Sequence, residues 1–169
     1  EGRQLSSEIV VKATSPRMAP PAGASRHLFD IAITDGTYSD QTRVVVNPNA
    51  LPGYERGCDA SKFMSINADV PQVMTADADG NTYAINERPV AAGATVAMGY
   101  KAAKAGFYTI SVPRADGTAL LHDKLLGTTA DISSNGYSFY SGATDGTDFN
   151  RFELSFEPTG QTPTDRKSV

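Results

Sequence analysis

Apolar and polar residues alternate with a period of two over several parts of the chain. In residues 107–112, Phe107, Thr109 and Ser111 fall on one side, and Tyr108, Ile110 and Val112 on the other. In residues 152–156 the three apolar residues Phe152, Leu154 and Phe156 share one side. This pattern predicts strands with one face buried and the other wet. Runs rich in β-branched and aromatic residues, bounded by Gly, Pro, Asn and Asp, recur at 8–14, 27–34, 42–46, 72–75 and 82–86. They continue at 95–99, 106–112, 119–123, 137–141 and 151–156, giving about ten short strands. Between them, Asp35-Gly36, Asp79-Gly80-Asn81, Asp116-Gly117, Asn135-Gly136 and Asp145-Gly146 supply residues that tolerate positive φ, so antiparallel hairpins are expected.

Helix has little place in this pattern. The one stretch of sufficient length, 91–104, contains Gly93 and Gly99 and lacks a steady apolar face. A short helical turn is expected at 60–64. The predicted fold is therefore an all-β antiparallel sandwich of about eight to ten strands. It is jelly-roll-like because the strand count exceeds seven, with an immunoglobulin-like sandwich as the alternative.

Domain limits follow from composition along the chain. Residues 1–26 hold a strand and a loop with Pro16, Pro20 and Pro21, and are assigned to the same domain as the sandwich at 27–158. Residues 159–169 are polar and Pro-containing, as in a flexible linker or tail. The sequence opens at Glu1 without Met, which suggests a mature or trimmed piece of a longer chain. No internal repeat is visible.

Length and charge narrow the function classes. A chain of 169 residues suits one domain and one core. Apolar residues make up 40% and charged residues 20%, which argues against disorder despite 15 Gly and 10 Pro. The net charge of −4 is scattered, so nucleic-acid binding lacks an electrostatic footprint. No apolar run reaches the roughly 18 residues of a membrane span, and no signal-like segment opens the sequence. The single cysteine, Cys58, leaves the redox compartment open.

A family pattern runs from about His27 to Pro158. It comprises Asp40 with Arg43-Val44-Val45-Val46, Asp59-Ala60-Ser61-Lys62-Phe63, and Tyr83-Ala84-Ile85-Asn86-Glu87-Arg88-Pro89. It goes on through Ala105-Gly106-Phe107-Tyr108-Thr109-Ile110, Leu121-His122-Asp123-Lys124, Asp131-Ile132, Tyr137-Ser138-Phe139 and Asn150-Arg151-Phe152-Glu153-Leu154. This order resembles the β-sandwich modules near the C-termini of large secreted and surface proteins of Bacteroidetes, which commonly precede a type IX secretion sorting domain. The resemblance implies export and display at the cell surface. It brings no catalytic residues with it, and a sorting domain of that kind would be expected beyond Val169 in a longer chain.

Candidate chemistry is sparse. A Ser-His-Asp arrangement would need His27 or His122, and although Asp123 follows His122, no G-x-S-x-G elbow exposes a serine. Both histidines are read as surface or strand-end residues. Cys58 has Asp59 beside it and Arg56 as its nearest base, so nothing in the sequence lowers its thiol pKa, and one Cys with two distant His does not make a zinc site. Asp77-Ala78-Asp79-Gly80-Asn81 and Asp145-Gly146-Thr147-Asp148 cluster oxygen ligands suited to calcium. The first opens like an EF-hand loop, but Thr82 replaces the sixth-position Gly and Arg88 the final Glu. Both are read as metal-free Asp-Gly turns, so no catalytic, cofactor or metal residue is assigned.

Asp59, Lys62 and Arg151 are assigned to structure. Arg151 is expected to leave the buried face of its strand and meet a carboxylate at the sheet margin. Asp59 is expected to accept backbone N–H groups and a guanidinium together, pinning a long crossing loop. The functional expectation is a non-catalytic structural or binding module, adhesin-like, in a secreted or surface protein. Its partners would be other domains of a longer chain or surface proteins, engaged by loops or an edge strand. Glycan binding is disfavoured by the absence of Trp. The alternative is an accessory or catalytic domain of an extracellular hydrolase acting on glycans, with acids on loops at one end of the sandwich.

Overall fold

A computed structural model describes residues 25–91 and 93–160. Among them are eleven strands and no helix. They are β1 (His27–Thr34), β2 (Ser39–Val46), β3 (Ala60–Ser61), β4 (Gln72–Ala76), β5 (Thr82–Arg88), β6 (Val96–Lys101), β7 (Gly106–Ala115), β8 (Gly117–Asp123), β9 (Thr128–Asp131), β10 (Tyr137–Ser141) and β11 (Asp148–Pro158). The expected strand at 8–14 and most of the tail lie outside the described residues. The fold is all-β, as the alternation demands.

Ten strands form one hydrogen-bonded order, β10-β7-β1-β2-β5-β4-β6-β11-β8-β9, and β3 pairs with β5 beside it. The sheet is mixed rather than wholly antiparallel as expected, because β2 and β5 run parallel from Arg43↔Ile85 to Val46↔Arg88. A parallel pair needs a long connection, and residues 47–81 supply it. The two ends of the order, β9 and β10, are consecutive in the chain and come together through side chains, with Thr128 Oγ1 and Tyr137 Oη 3.4 Å apart. The sheet thus nearly closes into a barrel, with a seam between its first and last strands.

Inward residues of facing strands fill the interior. Phe29 of β1 meets Phe156 of β11 at 4.7 Å between ring centroids, and Phe139 of β10 meets Phe152 of β11 at 4.9 Å. The burial pattern of β1 alternates strictly, with Phe29, Ile31 and Ile33 fully buried. Strands 27–34 and 137–141 match the sequence reading end to end. Elsewhere the strands run on into polar residues, as at Ser39 to Gln41, where pairing continues without apolar content. The helical turn expected at 60–64 is replaced by β3, whose Ala60 and Ser61 pair with Ile85 and Tyr83.

Two of the predicted turns are hairpins. Asp35-Gly36 joins β1 to β2 and Asp79-Gly80 joins β4 to β5, with positive φ at both glycines. The other three connect strands that do not pair with each other. At Asp116-Gly117, β7 pairs with β1 and β10, whereas β8 pairs with β11 and β9, so the chain turns a corner of the barrel. Gly117 has φ 140°, and a Cβ there would collide with the Glu157 carbonyl. The Asp116 carboxylate fixes this corner by accepting the Leu28 N–H at 2.8 Å.

Candidate functional site

Where the barrel lacks a backbone ladder, side chains join its ends. Strand alternation places Ala119, Leu121 and Asp123 of β8 on the buried side. Asp123 is 1% exposed, yet its carboxylate is fully engaged. Arg151 donates to it from Nε at 3.2 Å and Nη2 at 2.9 Å, the Tyr137 hydroxyl donates at 2.8 Å, and the Leu125 N–H at 3.1 Å. Arg151 also donates from Nη1 to the Tyr140 carbonyl at 2.9 Å. One guanidinium thereby ties β8 to β10 across the seam.

Burial pushes the Asp123 carboxyl up, but the Arg151, Tyr137 and Leu126 donors outweigh it and hold the group below the usual carboxylate range. Burial likewise opposes the Arg151 charge, and Asp123 more than offsets it, so the guanidinium is held above its ordinary value. The Tyr137 phenol is raised by burial and by its bond to Asp123.

The expected placement of Arg151 on the far side from Phe152 is corrected here. The β11 pairing with β6 is irregular between Asp148 and Phe152, so strict alternation fails. Arg151 and Phe152 are both buried, and the guanidinium lies over the Phe139 and Phe152 rings at 4.8 and 4.9 Å. Its carboxylate partner is Asp123 rather than Asp59. The charged strand end is retained inside because rings and an acid receive it.

A cleft of about 500 Å³ opens above this clamp. Tyr100 of β6, Lys124 and Leu125 of the β8–β9 loop, Tyr140 of β10, and Asp148 and Asn150 of β11 contribute to its lining, with Arg151 also at its wall. A second recess of about 470 Å³ shares Tyr100, Asp148 and Asn150 and extends along the β10–β11 loop to Asp145 and Thr147. Tyr140 is exposed and makes an edge contact with Phe107 at 5.5 Å.

The other predicted residues lie in separate places. Asp59 pins the crossing loop through backbone amides, Oδ2 accepting the Glu55 N–H at 2.6 Å and Oδ1 the Glu87 N–H at 2.7 Å, whereas the guanidinium expected beside them goes to Asp123. Lys62 pairs with Asp40, which also accepts the Val73 N–H at 2.8 Å. Asp59, Lys62 and Arg151 therefore do not form one cluster. His27 lies 2.9 Å from Ser25 Oγ. Period two separates His122 from Asp123: His122 sits on the outer face between Ser155 at 2.7 Å and Thr129 at 2.9 Å, so a threonine stands where a triad would need an acid. Cys58 is half-buried in the crossing loop.

The Asp77 loop is organised by donors. Asp77 Oδ1 accepts the Asp79 and Asn81 N–H groups at 3.0 Å each, and Oδ2 accepts the Tyr83 hydroxyl at 2.5 Å and the Asn81 amide at 2.9 Å. Burial raises its carboxyl, but the Tyr83 and Asn81 donors prevail and bring it to about 2. Among the described residues, no three His, Cys, Asp or Glu side chains converge as a metal cage. Asp145 and Asp148, in the second loop, both line the recess beside the cleft.

A family model described as a domain of unknown function, DUF8693, matches residues 13–156. The chain belongs to the DUF8693 family. No curated protein and no solved structure matches it. The DUF8693 match spans β1 to β10 and β11 as far as Phe156, so both halves of the seam clamp lie within the family domain.

Two members of this DUF8693 seam have roles not expected from the sequence: Asp123, considered there only as the neighbour of His122, and Tyr140. Asp123 carried a signal, since alternation from Ala119 and Leu121 puts an acid on the buried face, where it requires a partner. Tyr140 carried one too: it is out of phase with the buried Phe139 and Ser141, and so marks an exposed ring.

Proposed function

We propose that this DUF8693 domain is a non-catalytic structural or binding module, adhesin-like, of a secreted or cell-surface protein. The observation that supports this most is the commitment of the charges at the cleft wall. Arg151 at the wall is engaged by the Tyr140 carbonyl and by Asp123, which lies buried behind it and is held below the usual range, whereas a glycosidase acid must face its substrate and keep its proton near neutrality. What remains in the cleft is contact surface: an exposed ring, an exposed Leu125, and polar side chains on loops. In this reading the barrel is flattened into two faces as a jelly-roll-like sandwich, which the Phe29 to Phe156 contact across the interior supports. Export rests on the resemblance to Bacteroidetes surface modules.

Incubating the purified domain with polysaccharides and chromogenic glycosides from about pH 4 to 8 is expected to release no product above a blank. Release that disappears on Asp148→Asn would overturn the non-catalytic reading. Protease treatment of intact cells bearing the parent protein is expected to remove the domain, and full protection would overturn the surface location.

A further inference from the structure

We propose that the seam cleft binds a neutral saccharide, with the Tyr140 ring as a stacking wall and Asp148 with Asn150 as the edge that reads hydroxyl groups. The proposal rests on the binding-module reading above and names the ligand class of that site.

Three observations carry it. The first is the ring. Tyr140 is 57% exposed at the cleft and makes an edge contact with Phe107 at 5.5 Å and 75°. An exposed phenol ring offers an apolar face on which a sugar can stack, and with two χ angles it loses little conformational entropy when it does. The absence of Trp loses its force as an objection, because a ring of the right kind is already in place.

The second is the polar edge. Asp148 Oδ1 accepts the Asn150 N–H at 2.7 Å, which sets the two residues together on the wall shared by both recesses. The Asn150 amide makes no side-chain hydrogen bond among the described residues. A carboxylate that only accepts, beside an amide that donates and accepts, matches adjacent hydroxyls that each do both.

The third is charge. Lys124 and Arg151 line the groove together with Asp145 and Asp148. Both cations are engaged, Lys124 with Glu153 at 3.1 Å and Arg151 with Asp123. Asp145 and Asp148 are thus left in excess, which opposes an anionic ligand and costs a neutral polyhydroxylated one nothing. Addition of a peptide strand to β10 is opposed at the cleft, since the Tyr140 carbonyl is already taken by Arg151. The continuous recesses of about 500 and 470 Å³ suit a short oligosaccharide rather than a single small ion.

The test is calorimetric titration of the full chain with short neutral oligosaccharides of glucose, mannose, galactose and N-acetylglucosamine. At least one is expected to bind saturably. Tyr140→Ala and Asn150→Ala should each weaken that binding about tenfold or more. Phe63→Ala, an exposed change outside the cleft, should leave it unaltered. Circular dichroism melts of the Tyr140 and Asn150 variants should match the wild type, since both side chains are exposed, and Asn150→Ala keeps the test open if Tyr140→Ala folds poorly. No saturable binding by any of the sugars up to about 10 mM would overturn the proposal, as would binding indifferent to both changes. Neither result touches the non-catalytic reading, which falls instead on product release.

Discussion

The seam and the crossing loop solve the same problem with different chemistry. Both hold together segments that no continuous ladder joins. At the seam, two charges are removed from water together: the side chains of Asp123 and Arg151 are 1% and 8% exposed. Across residues 47–71, Asp59 instead accepts two backbone N–H groups, Asp40 takes Lys62 and an amide, and Arg88 donates to the Pro52 carbonyl at 3.1 Å. An exposed loop needs its orphan amides satisfied, and scattered carboxylates do that locally. A barrel junction needs one rigid link between distant strands, and a forked guanidinium provides it. The difference teaches that the seam should fail all at once and the loop piecemeal.

The largest expected effect follows from removing one partner at the seam. Arg151→Ala leaves Asp123 buried without its counter-charge and should cost about 3 to 5 kcal/mol. Thermal melting should then fall by roughly 6 to 20 °C, against almost no change for the control Lys104→Ala. Next comes Asp59→Ala, which strands the Glu55 and Glu87 amides and should cost about 2 kcal/mol by urea unfolding. Limited proteolysis of that variant should cut first within 47–71, whereas the Arg151 variant should lose protection throughout. Equal cutting patterns would erase the distinction.

Acid adds a smaller, graded effect. Asp123 and Asp77 both have folded-state values below their ordinary 3.8, Asp77 at about 2. A group depressed in this way contributes stability that is present above about pH 4 and lost as pH falls through its folded value. Unfolding free energy should therefore decline between about pH 4 and 2, and Asp77→Asn should flatten part of that decline. A profile unchanged by the substitution would contradict the role given to the Tyr83 and Asn81 donors. The smallest effect is expected at the half-exposed Asp30–Arg43 pair, where Arg43→Ala should cost under about 1 kcal/mol and less in high salt.

Period-two alternation made the central strands legible, because a buried face forces an unbroken apolar set, as in Phe29, Ile31 and Ile33. Strand β9 escaped notice because Thr128-Thr129-Ala130-Asp131 is a mostly exposed edge with no apolar face to reveal it. The parallel β2–β5 pair escaped for another reason: pairing direction depends on where residues 47–81 travel, which local pattern does not encode. The backbone amides that Asp59 accepts were readable from residue type and position, but the acid that receives Arg151 was not. Asp123 lies 28 residues from Arg151 in sequence, and the broken alternation before Phe152 reverses the side on which the guanidinium falls.

The central claim, that Arg151 and Asp123 act as one clamp across the seam, is tested most directly by a double-mutant cycle with Arg151→Met and Asp123→Leu. Each single change leaves a buried charge unpaired, whereas the double change leaves none. Urea unfolding should show the double variant losing far less than the sum of the two singles, with a coupling of about 2 kcal/mol or more. Strictly additive losses would contradict the clamp and leave the closure of the barrel to the aromatic core alone.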